Sequence, residues 1–367
     1  MVGFVSSLAL SHFRSHQNTT LHLDSRPIAI MGANGSGKTN ILEAVSLLSP
    51  GRGLRRAAAH SMMRYPENLG WKITATTSTE DTVNEIVTRS EQGAARDVKI
   101  DGKNMSQMKL GEYLRVLWLI PAMDRLWIES SEGRRRFLDR IALSFFARHA
   151  QNTIIYEKAM RERNRLLKEQ IRDPAWYLAL EKQMATSGQE IMEARTQAVA
   201  YIQSAQDNGG DDFPHALLSL SVAEGEVLAT ESDLSAALSA SRARDLMAGR
   251  TLVGPHKVDL TGVYAAKDIP AADCSTGEQK ALLVSIILAN ARALRQVHNI
   301  SPLILLDEVS AHLDKARRAS LYAAITDLGL QAWLTGTERE IFQEFEADAQ
   351  YVNVMDVDGS SCIEQTL

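Results

Sequence analysis

A glycine-rich segment has the residue types and spacing of a phosphate-binding loop. Residues 32–39 read G-A-N-G-S-G-K-T, a full match to G-x-x-x-x-G-K-[ST], between an apolar segment at 28–31 and a helical one at 40–48. In such loops the glycines let backbone N–H groups face phosphate oxygens, the lysine contacts the β- and γ-phosphates, and the threonine binds Mg²⁺. The segment predicts a nucleoside triphosphate and Mg²⁺ as ligands. The candidate nucleotide-binding residues are Gly32, Ala33, Asn34, Gly35, Ser36, Gly37, Lys38, Thr39 and Asn40.

A second segment supplies a pair of acids. Residues 303–306 are four apolar residues, typical of a buried parallel strand, and Asp307 and Glu308 follow them. Ligands bind at the carboxyl ends of such strands. Asp307 is therefore expected to hold Mg²⁺ through a water, and Glu308 to polarise the attacking water as a general base. This pair favours an ATPase, with Lys38 and Glu308 as its catalytic residues.

A third segment, residues 274–280, reads C-S-T-G-E-Q-K and opens an apolar helical stretch at 281–294. Ser275, Gly277 and Glu278 would form a helix N-terminus that suits a bound anion. The same spacing is typical of a capping box, in which Ser275 and Glu278 satisfy backbone groups of their own helix. The segment alone supports both interpretations equally.

The elements that position these motifs follow from the hydrophobic pattern. The N-terminal third alternates short apolar runs with polar turns, which predicts strands, whereas the stretch from Glu132 has long helical periodicity. A break at Asp173-Pro174 predicts a helical hairpin. Strand and helix signals then alternate to the end, an α/β rhythm. We therefore expect an α/β head formed by residues 1–125 and 251–367, with residues 126–250 inserted as a mainly helical arm.

Composition excludes several classes of protein. The 367 residues are 45% hydrophobic and 23% charged, with net charge -5, so any nucleic-acid surface has to be a local patch. Two cysteines cannot form a disulfide framework and suit a reducing compartment. No apolar run reaches the roughly 18 residues of a membrane helix. These features predict a cytoplasmic protein without a membrane segment.

The order of these motifs resembles that of ABC-type ATPase heads. The phosphate loop comes first, then the Ser275 segment as signature motif, then the acidic strand, then Ser310-Ala311-His312-Leu313-Asp314 as D-loop. In that family the signature serine of one protomer meets the γ-phosphate bound by the other. The resemblance therefore implies an ATP-dependent head-to-tail homodimer.

The whole chain resembles the RecF family of bacterial recombination mediators. Its arginine-rich G-R-R-R-F-L-D-R segment and its Gly254-Pro255-His256 triplet carry the resemblance most specifically, because the ATPase motifs are shared across the superfamily. The other matching stretches are Phe13-Arg14, residues 32–40, residues 51–56, the Asp245, Gly249 and Thr251 pattern, S-T-G-E-Q-K at 275–280, and L-L-D-E-V-S-A-H-L-D at 305–314. The resemblance implies an ABC-type head with a parallel P-loop sheet, antiparallel strands and an inserted helical arm.

The RecF resemblance also implies a function. Members bind double-stranded DNA near single-strand junctions, hydrolyse ATP slowly with stimulation by DNA, and cooperate with RecR and RecO to help RecA displace SSB. The chain is then expected in the cytoplasm, associated with the nucleoid. Two departures stand out. Ala122 follows Pro121 where the family usually has a polar Q-loop residue, and His256-Lys257-Val258-Asp259 replaces a more acidic continuation.

Three arginine groups are candidate DNA contacts. Arg52, Arg55 and Arg56 follow the P-loop helix and could couple nucleotide state to phosphate contacts, although a solvated basic loop has the same pattern. Residues 134–136 place three arginines at a helix start, where cations are unfavourable, so either a bound anion or an internal carboxylate is expected there. The arginines at 161, 163 and 165 alternate with acids and predict a solvated helical face.

The remaining candidates have two interpretations each. His256 and His312 could be catalytic, but a hydrogen-bonding role is favoured for both. Thr335 or Thr337, at the place of the ABC switch histidine, would sense the γ-phosphate or form an ordinary turn. For the whole protein, the alternatives to a DNA-binding ATPase are the nucleotide-binding subunit of a membrane transporter and an ATP-binding interaction module with negligible turnover.

Overall fold

The computed structural model describes residues 3–79, 82–209, 213–310 and 313–366, without the side chains of 346, 347 and 366. The helices are α1 (Lys38–Ser46), α2 (Leu110–Tyr113), α3 (Ser131–Phe145), α4 (His149–Lys168), α5 (Pro174–Asp207), α6 (Glu231–Ala248), α7 (Thr276–His298) and α8 (Lys315–Asp327). The strands are β1 (Phe4–Phe13), β2 (His16–His22), β3 (Ile28–Met31), β4 (Gly70–Ser78), β5 (Val83–Glu91), β6 (Asp97–Ile100), β7 (Lys103–Met105), β8 (Val116–Leu119), β9 (Ala216–Ser221), β10 (Asp259–Tyr264), β11 (Ile269–Pro270), β12 (Leu303–Leu306), β13 (Ala332–Gly336), β14 (Gln350–Val357) and β15 (Ser360–Thr366).

The chain divides into two compact units. Unit 1 comprises Met1–Asp124, Ala205–Pro214 and Ser275–Leu367, and unit 2 comprises Arg125–Ser204 and His215–Cys274. The first boundary lies one residue from the predicted one. Two other assignments differ. Residues 205–214 of the predicted arm belong to unit 1, and residues 251–274 belong to unit 2, whereas the sequence placed them in the head. Residues 251–274 include β10, which pairs with β9, and β11, which pairs with β10, all inside unit 2.

One sheet of unit 1 brings the sequence motifs to a common edge. Its strand order is β15-β14-β3-β13-β12-β8, and all neighbours except β15 and β14 run parallel. Leu306 at the end of β12 is in register with Leu334 of β13 and with Leu119 of β8. The carboxyl ends of β3, β12, β13 and β8 therefore lie together, which is where ligands bind in open parallel sheets.

The second sheet of unit 1 is antiparallel, with order β2-β1-β4-β5-β6-β7. A single hydrophobic core joins it to the parallel sheet and to α1, with Leu8, Ile41, Trp71 and Trp333 among its buried members. Burying such side chains contributes about 1.5–3 kcal/mol each. The motif-bearing edge is thus held by a continuous core.

Unit 2 contains the predicted helical hairpin and a small sheet. α4 ends at Lys168 and α5 begins at Pro174, as the Asp173-Pro174 break predicts. One face of α5 is buried: Met184, Ile191, Ala198 and Ile202 have at most 2% of their surface exposed. No helix among the described residues is long and apolar enough to cross a membrane.

Candidate nucleotide-binding site

Two glycines of the phosphate loop are required by close backbone packing. Gly37 has a φ of 108° and forms the N-cap of α1. A Cβ atom at Gly37 would lie 2.2 Å from Ser361 Oγ, and one at Gly32 would lie 2.1 Å from the carbonyl oxygen of Val354. β14 and β15 therefore press directly against the loop and exclude a side chain at both positions.

Lys38 is buried and held over the loop. Its ammonium donates to the carbonyl oxygens of Gly32 at 2.7 Å and Ala33 at 2.9 Å. Burial lowers the pKa of Lys38 below its usual value, and the charges of Glu308 and Asp307 oppose that shift. Lys38 is therefore bound to backbone carbonyls that a ligand could replace. It also lies close enough to Asp307 and Glu308 to interact with their charges.

Asp307 is the centre of an oxygen cluster. The Thr39 hydroxyl donates to its two carboxylate oxygens at 2.9 and 3.1 Å, and the Thr335 hydroxyl donates to the first of them at 2.9 Å. Such hydroxyl and carboxylate oxygens are the ligands that Mg²⁺ takes, together with phosphates and waters. The described residues contain no group of three or more His, Cys, Asp or Glu that could hold a metal alone. The arrangement therefore fits Mg²⁺ bound jointly with a nucleotide.

Glu308 has a strained backbone. Its φ is 54°, in the left-handed region that a non-glycine residue enters only at a cost. Its N–H donates to Thr335 Oγ1 at 2.8 Å, and the N–H of Asp307 donates to the Leu119 carbonyl at 3.0 Å. These bonds fix the backbone from which the candidate base projects.

The sequence left two roles open for Thr335 and Thr337, a sensor of the γ-phosphate or an ordinary turn. The Thr335 side chain is fully buried between Asp307 and the Glu308 N–H, and Thr337 is exposed. Because Thr335 contacts two motif residues that precede it by 28 and 27 positions, spacing alone could not show this.

The P-loop also has partners that the sequence did not indicate. Ser361 Oγ lies 2.6 Å from the carbonyl oxygen of Ser36 and 2.6 Å from Ser15 Oγ, and a ring nitrogen of His16 lies 3.1 Å from the Gly37 carbonyl. Asn40 donates to Ser15 Oγ at 2.7 Å. The loop is thus braced by the β1–β2 turn and by the last strand.

The arginines that follow α1, which are Arg52, Arg55 and Arg56, lie on an exposed basic loop. Arg55 nevertheless donates to Asn40 Oδ1 at 2.7 Å and to the buried carboxylate of Glu43 at 3.1 Å. Arg55 therefore joins the basic loop to the helix of the nucleotide site.

Arg96 anchors the same basic loop. Its guanidinium donates to the Gly51 carbonyl at 2.8 Å, and burial lowers its pKa to about 10. No motif marks Arg96, because it lies 45 positions further along the chain, between β5 and β6.

The signature segment forms the capping box. Ser275 Oγ lies 2.7 Å from Glu278 Oε2, and that carboxylate also accepts the Ser275 N–H at 2.9 Å. Ser275 and Gly277 are exposed, so the helix N-terminus can also meet an external anion. Behind it, Lys280 forms an ion pair with Asp124 at 3.3 Å. Ala122 is exposed in the turn after β8.

In unit 2, one arginine differs from its predicted environment, and another has one of its two expected partners. Arg163 does not lie on a solvated face: it is fully buried and forms ion pairs with Glu181 at 3.0 Å and Asp245 at 2.7 Å. Arg134 has the internal carboxylate that was one of its two expected partners, Asp259 at 2.7 Å. His256 makes hydrogen bonds, at 2.8 Å to the Tyr156 hydroxyl and 3.1 Å to the Thr251 carbonyl.

Two positions of the predicted D-loop, Ala311 and His312, lie outside the described residues. The ends of the D-loop are described. Ser310 and Leu313 are buried, and Asp314 caps α8 by accepting the N–H of Arg317.

The chain matches known proteins along nearly its whole length. Residues 4–360 match the family described as RecF/RecN/SMC N terminal domain. The "DNA replication and repair protein RecF" of Rhizobium rhizogenes is 44% identical over 363 residues, 96% of each chain. The protein of the same description from Brucella suis is 42% identical over 361 residues, 95% of this chain and 94% of that one.

Solved structures show the same fold. The recombination mediator protein RecF with ATPrS, in the RecFOR pathway, superimposes with a TM-score of 0.83 at 19% identity, over 100% of this chain and 98% of that one. An Smc head domain from Pyrococcus furiosus, bound to the C-terminal domain of ScpA, gives 0.58 at 16% identity, over 99% and 96%. The predicted fold class, an ABC-type head with a helical arm, is thereby confirmed.

Proposed function

The chain belongs to the RecF family, within the RecF/RecN/SMC N-terminal domain class, and we propose that it is an ATP-dependent DNA-binding protein of recombinational repair. The observation that carries this proposal is the cluster of Lys38, Thr39, Asp307 and Thr335 at one sheet edge. A RecF structure of this fold is described as bound to ATP. ATP is therefore the proposed ligand of the P-loop.

Each site residue has a proposed chemical role. Backbone N–H groups of residues 32–40 surround the phosphates, and Lys38 moves its hydrogen bonds from Gly32 and Ala33 to them. Thr39 and Asp307 would hold Mg²⁺, which would supply positive charge to neutralise the phosphates. Glu308 accepts the proton of the attacking water. The exposed alanine at 122 gives no polar group to this step, which is consistent with slow hydrolysis.

The signature segment has its role in a second copy of the chain. Ser275 and Gly277 are exposed at the start of α7, a helix of 23 residues whose N-terminus carries positive potential. In the proposed head-to-tail homodimer, Ser275, Gly277 and Glu278 of one protomer face the γ-phosphate bound by its partner. ATP would then join the two protomers.

Double-stranded DNA is the proposed partner of the basic loop. Arg52 and Arg56 are exposed for phosphate contacts, and Arg55 transmits the state of α1 through Asn40 and Glu43. By family membership we extend the proposal to junctions with single-stranded DNA and to cooperation with RecR, RecO and RecA at the nucleoid. The chemistry of the site alone would also suit a transporter ATPase, but the full-length relatives are described as DNA repair proteins.

Duplex affinity measured against salt concentration tests this proposal. Removing one cation that binds a phosphate lowers the magnitude of the slope of log K against log salt by about 0.9, so Arg52→Ala with Arg56→Ala should flatten it by up to about 1.8. ATP affinity should not change in that variant. Arg55→Ala should lower the affinity for both ATP and duplex DNA, because Arg55 binds Asn40 and Glu43. A duplex affinity that is independent of salt and ATP would contradict the proposal.

A further inference from the structure

The start of α3 and the loop between α6 and β10, both in unit 2, hold more cations than carboxylates. Four carboxylates of the described residues in this region each have an arginine partner. The pairs are Arg134 with Asp259 at 2.7 Å, Arg136 with Glu132, Arg195 with Asp139 at 2.8 Å, and Arg163 with Asp245 at 2.7 Å. The negative charge of this region is therefore already neutralised.

Three cations remain, which we name the unit 2 basic cluster: Arg135, Arg250 and Lys257. Arg135 donates to Ser131 Oγ at 2.9 Å and has no carboxylate partner in the described part of the chain. Arg250 is exposed and Lys257 partly exposed. Neither side chain makes a hydrogen bond or an ion pair to any described residue. Apart from the Arg135–Ser131 bond, the side-chain donors of the cluster have no acceptor among the described residues.

Lys257 lies within electrostatic range of the other two cations. The Arg134–Asp259 bridge joins the start of α3, which carries Arg135, to the start of β10, two positions after Lys257. Burial, and after it the charges of Arg250 and Arg135, hold the pKa of Lys257 below its usual value. A bound anion would remove this repulsion.

The loop that carries Arg250 and Lys257 is held rigidly. Thr251 donates its N–H to Asn164 at 2.7 Å and accepts from Arg163 at 2.9 Å. Arg195 donates to the Pro255 carbonyl at 2.7 Å, and His256 bonds Tyr156 and Thr251. Because the backbone of this loop is already ordered, only its exposed side chains lose conformational entropy when it binds.

We propose that the unit 2 basic cluster is a second contact surface for the phosphate backbone of double-stranded DNA. Lysine and arginine side chains only donate hydrogen bonds, and phosphate oxygens receive most protein–DNA hydrogen bonds. A chain of net charge -5 attracts a polyanion only where cations exceed acids locally. The inference rests on the proposed function and adds unit 2 to its DNA surface.

The test compares two double variants of equal charge change. Arg250→Gln with Lys257→Gln removes two cluster cations without breaking a bond to a described residue. The control, Arg161→Gln with Arg165→Gln, removes two exposed arginines of α4 that form ion pairs with Glu157 and Glu162. Binding of a labelled duplex is measured with ATP and Mg²⁺ over a salt series, and thermal unfolding verifies that both variants fold.

The cluster variant should flatten the salt slope by up to about 1.8, while the control keeps the wild-type slope. A wild-type slope in the cluster variant, or equal flattening in the control, overturns the inference but leaves the proposed function standing. Weakened binding of polyglutamate with unchanged duplex binding also overturns it, because the surface would then serve an acidic protein. If the wild-type chain binds no duplex, both proposals fall.

Discussion

The nucleotide site of unit 1 and the ionic core of unit 2 both bury charged groups, but they satisfy them differently. Among the described residues Asp307 accepts from the hydroxyls of Thr39 and Thr335, and Lys38 donates to two carbonyls, whereas Arg163 is bound directly to Glu181 and Asp245. A hydrogen bond between a charged and a neutral group contributes about 1.5–3 kcal/mol, and a ligand can replace the neutral partner. Breaking a buried ion pair costs about 3–5 kcal/mol. The charged groups of the nucleotide site are therefore available to a ligand, whereas those of the unit 2 ionic core hold helices together.

Replacing Glu308, the candidate general base, should have the largest effect on ATP turnover. Glu308→Gln should lower ATP turnover by about 10² to 10⁴, because the water loses its proton acceptor while Lys38, Thr39 and Asp307 still bind MgATP. Steady-state hydrolysis and ATP affinity measured together separate the two effects. Glu338→Gln, an exposed change close to β13, is the control. Unchanged turnover in the Glu308 variant would remove Glu308 from the mechanism.

The second effect belongs to unit 2. Arg163→Met leaves Asp245 and part of Glu181 without a cation in the core, so the free energy of unfolding should fall by about 3 kcal/mol. Arg161→Met, two positions away and exposed, should change it by less than about 0.5 kcal/mol. Urea denaturation of both variants gives the comparison. Equal stability of the Arg163→Met and Arg161→Met variants would show that the buried ion pairs of Arg163 do not stabilise unit 2.

These two regions also differ in how far the sequence predicts them. The P-loop, the acidic strand and the break at Asp173-Pro174 are local patterns, and the structure places them as expected. Arg163 could not be recognised, because it alternates with the exposed Arg161 and Arg165 and its partners lie 18 and 82 positions away. Ser361 contacts the P-loop from 325 positions away for the same reason. Local periodicity predicts elements, but only tertiary packing pairs polar groups across them.

A smaller effect tests how Asp307 is held. Thr335→Val removes the hydroxyl that bonds Asp307 and the Glu308 N–H but keeps the side-chain shape, so turnover should fall by an amount equivalent to about 2 kcal/mol. Thr335→Ser restores the hydroxyl and should recover most of the rate. ATP affinity without Mg²⁺ should be equal in all three proteins. A serine variant as slow as the valine one would assign Thr335 a packing role only.

The smallest effect is a pH dependence in unit 2. Burial lowers the pKa of His256 from 6.5 to about 4, so the unfolded chain binds the proton more readily. Stability is therefore complete above about pH 6.5 and is lost as the pH falls toward about 4, with a change of about 1 kcal/mol between about pH 7 and about pH 5.5. His256→Asn should remove that part of the dependence. An unaltered dependence in the variant would contradict a buried neutral His256.

In the proposed homodimer, ATP joins two protomers through the signature segment. Sedimentation of the wild-type chain and of Ser275→Arg, each with and without ATP and Mg²⁺, is the decisive experiment. We expect monomers without ATP, dimers of the wild-type chain with ATP and Mg²⁺, and a Ser275→Arg protein that binds ATP but stays monomeric. A wild-type chain that binds ATP without dimerising, or a Ser275→Arg protein that dimerises normally, would contradict it.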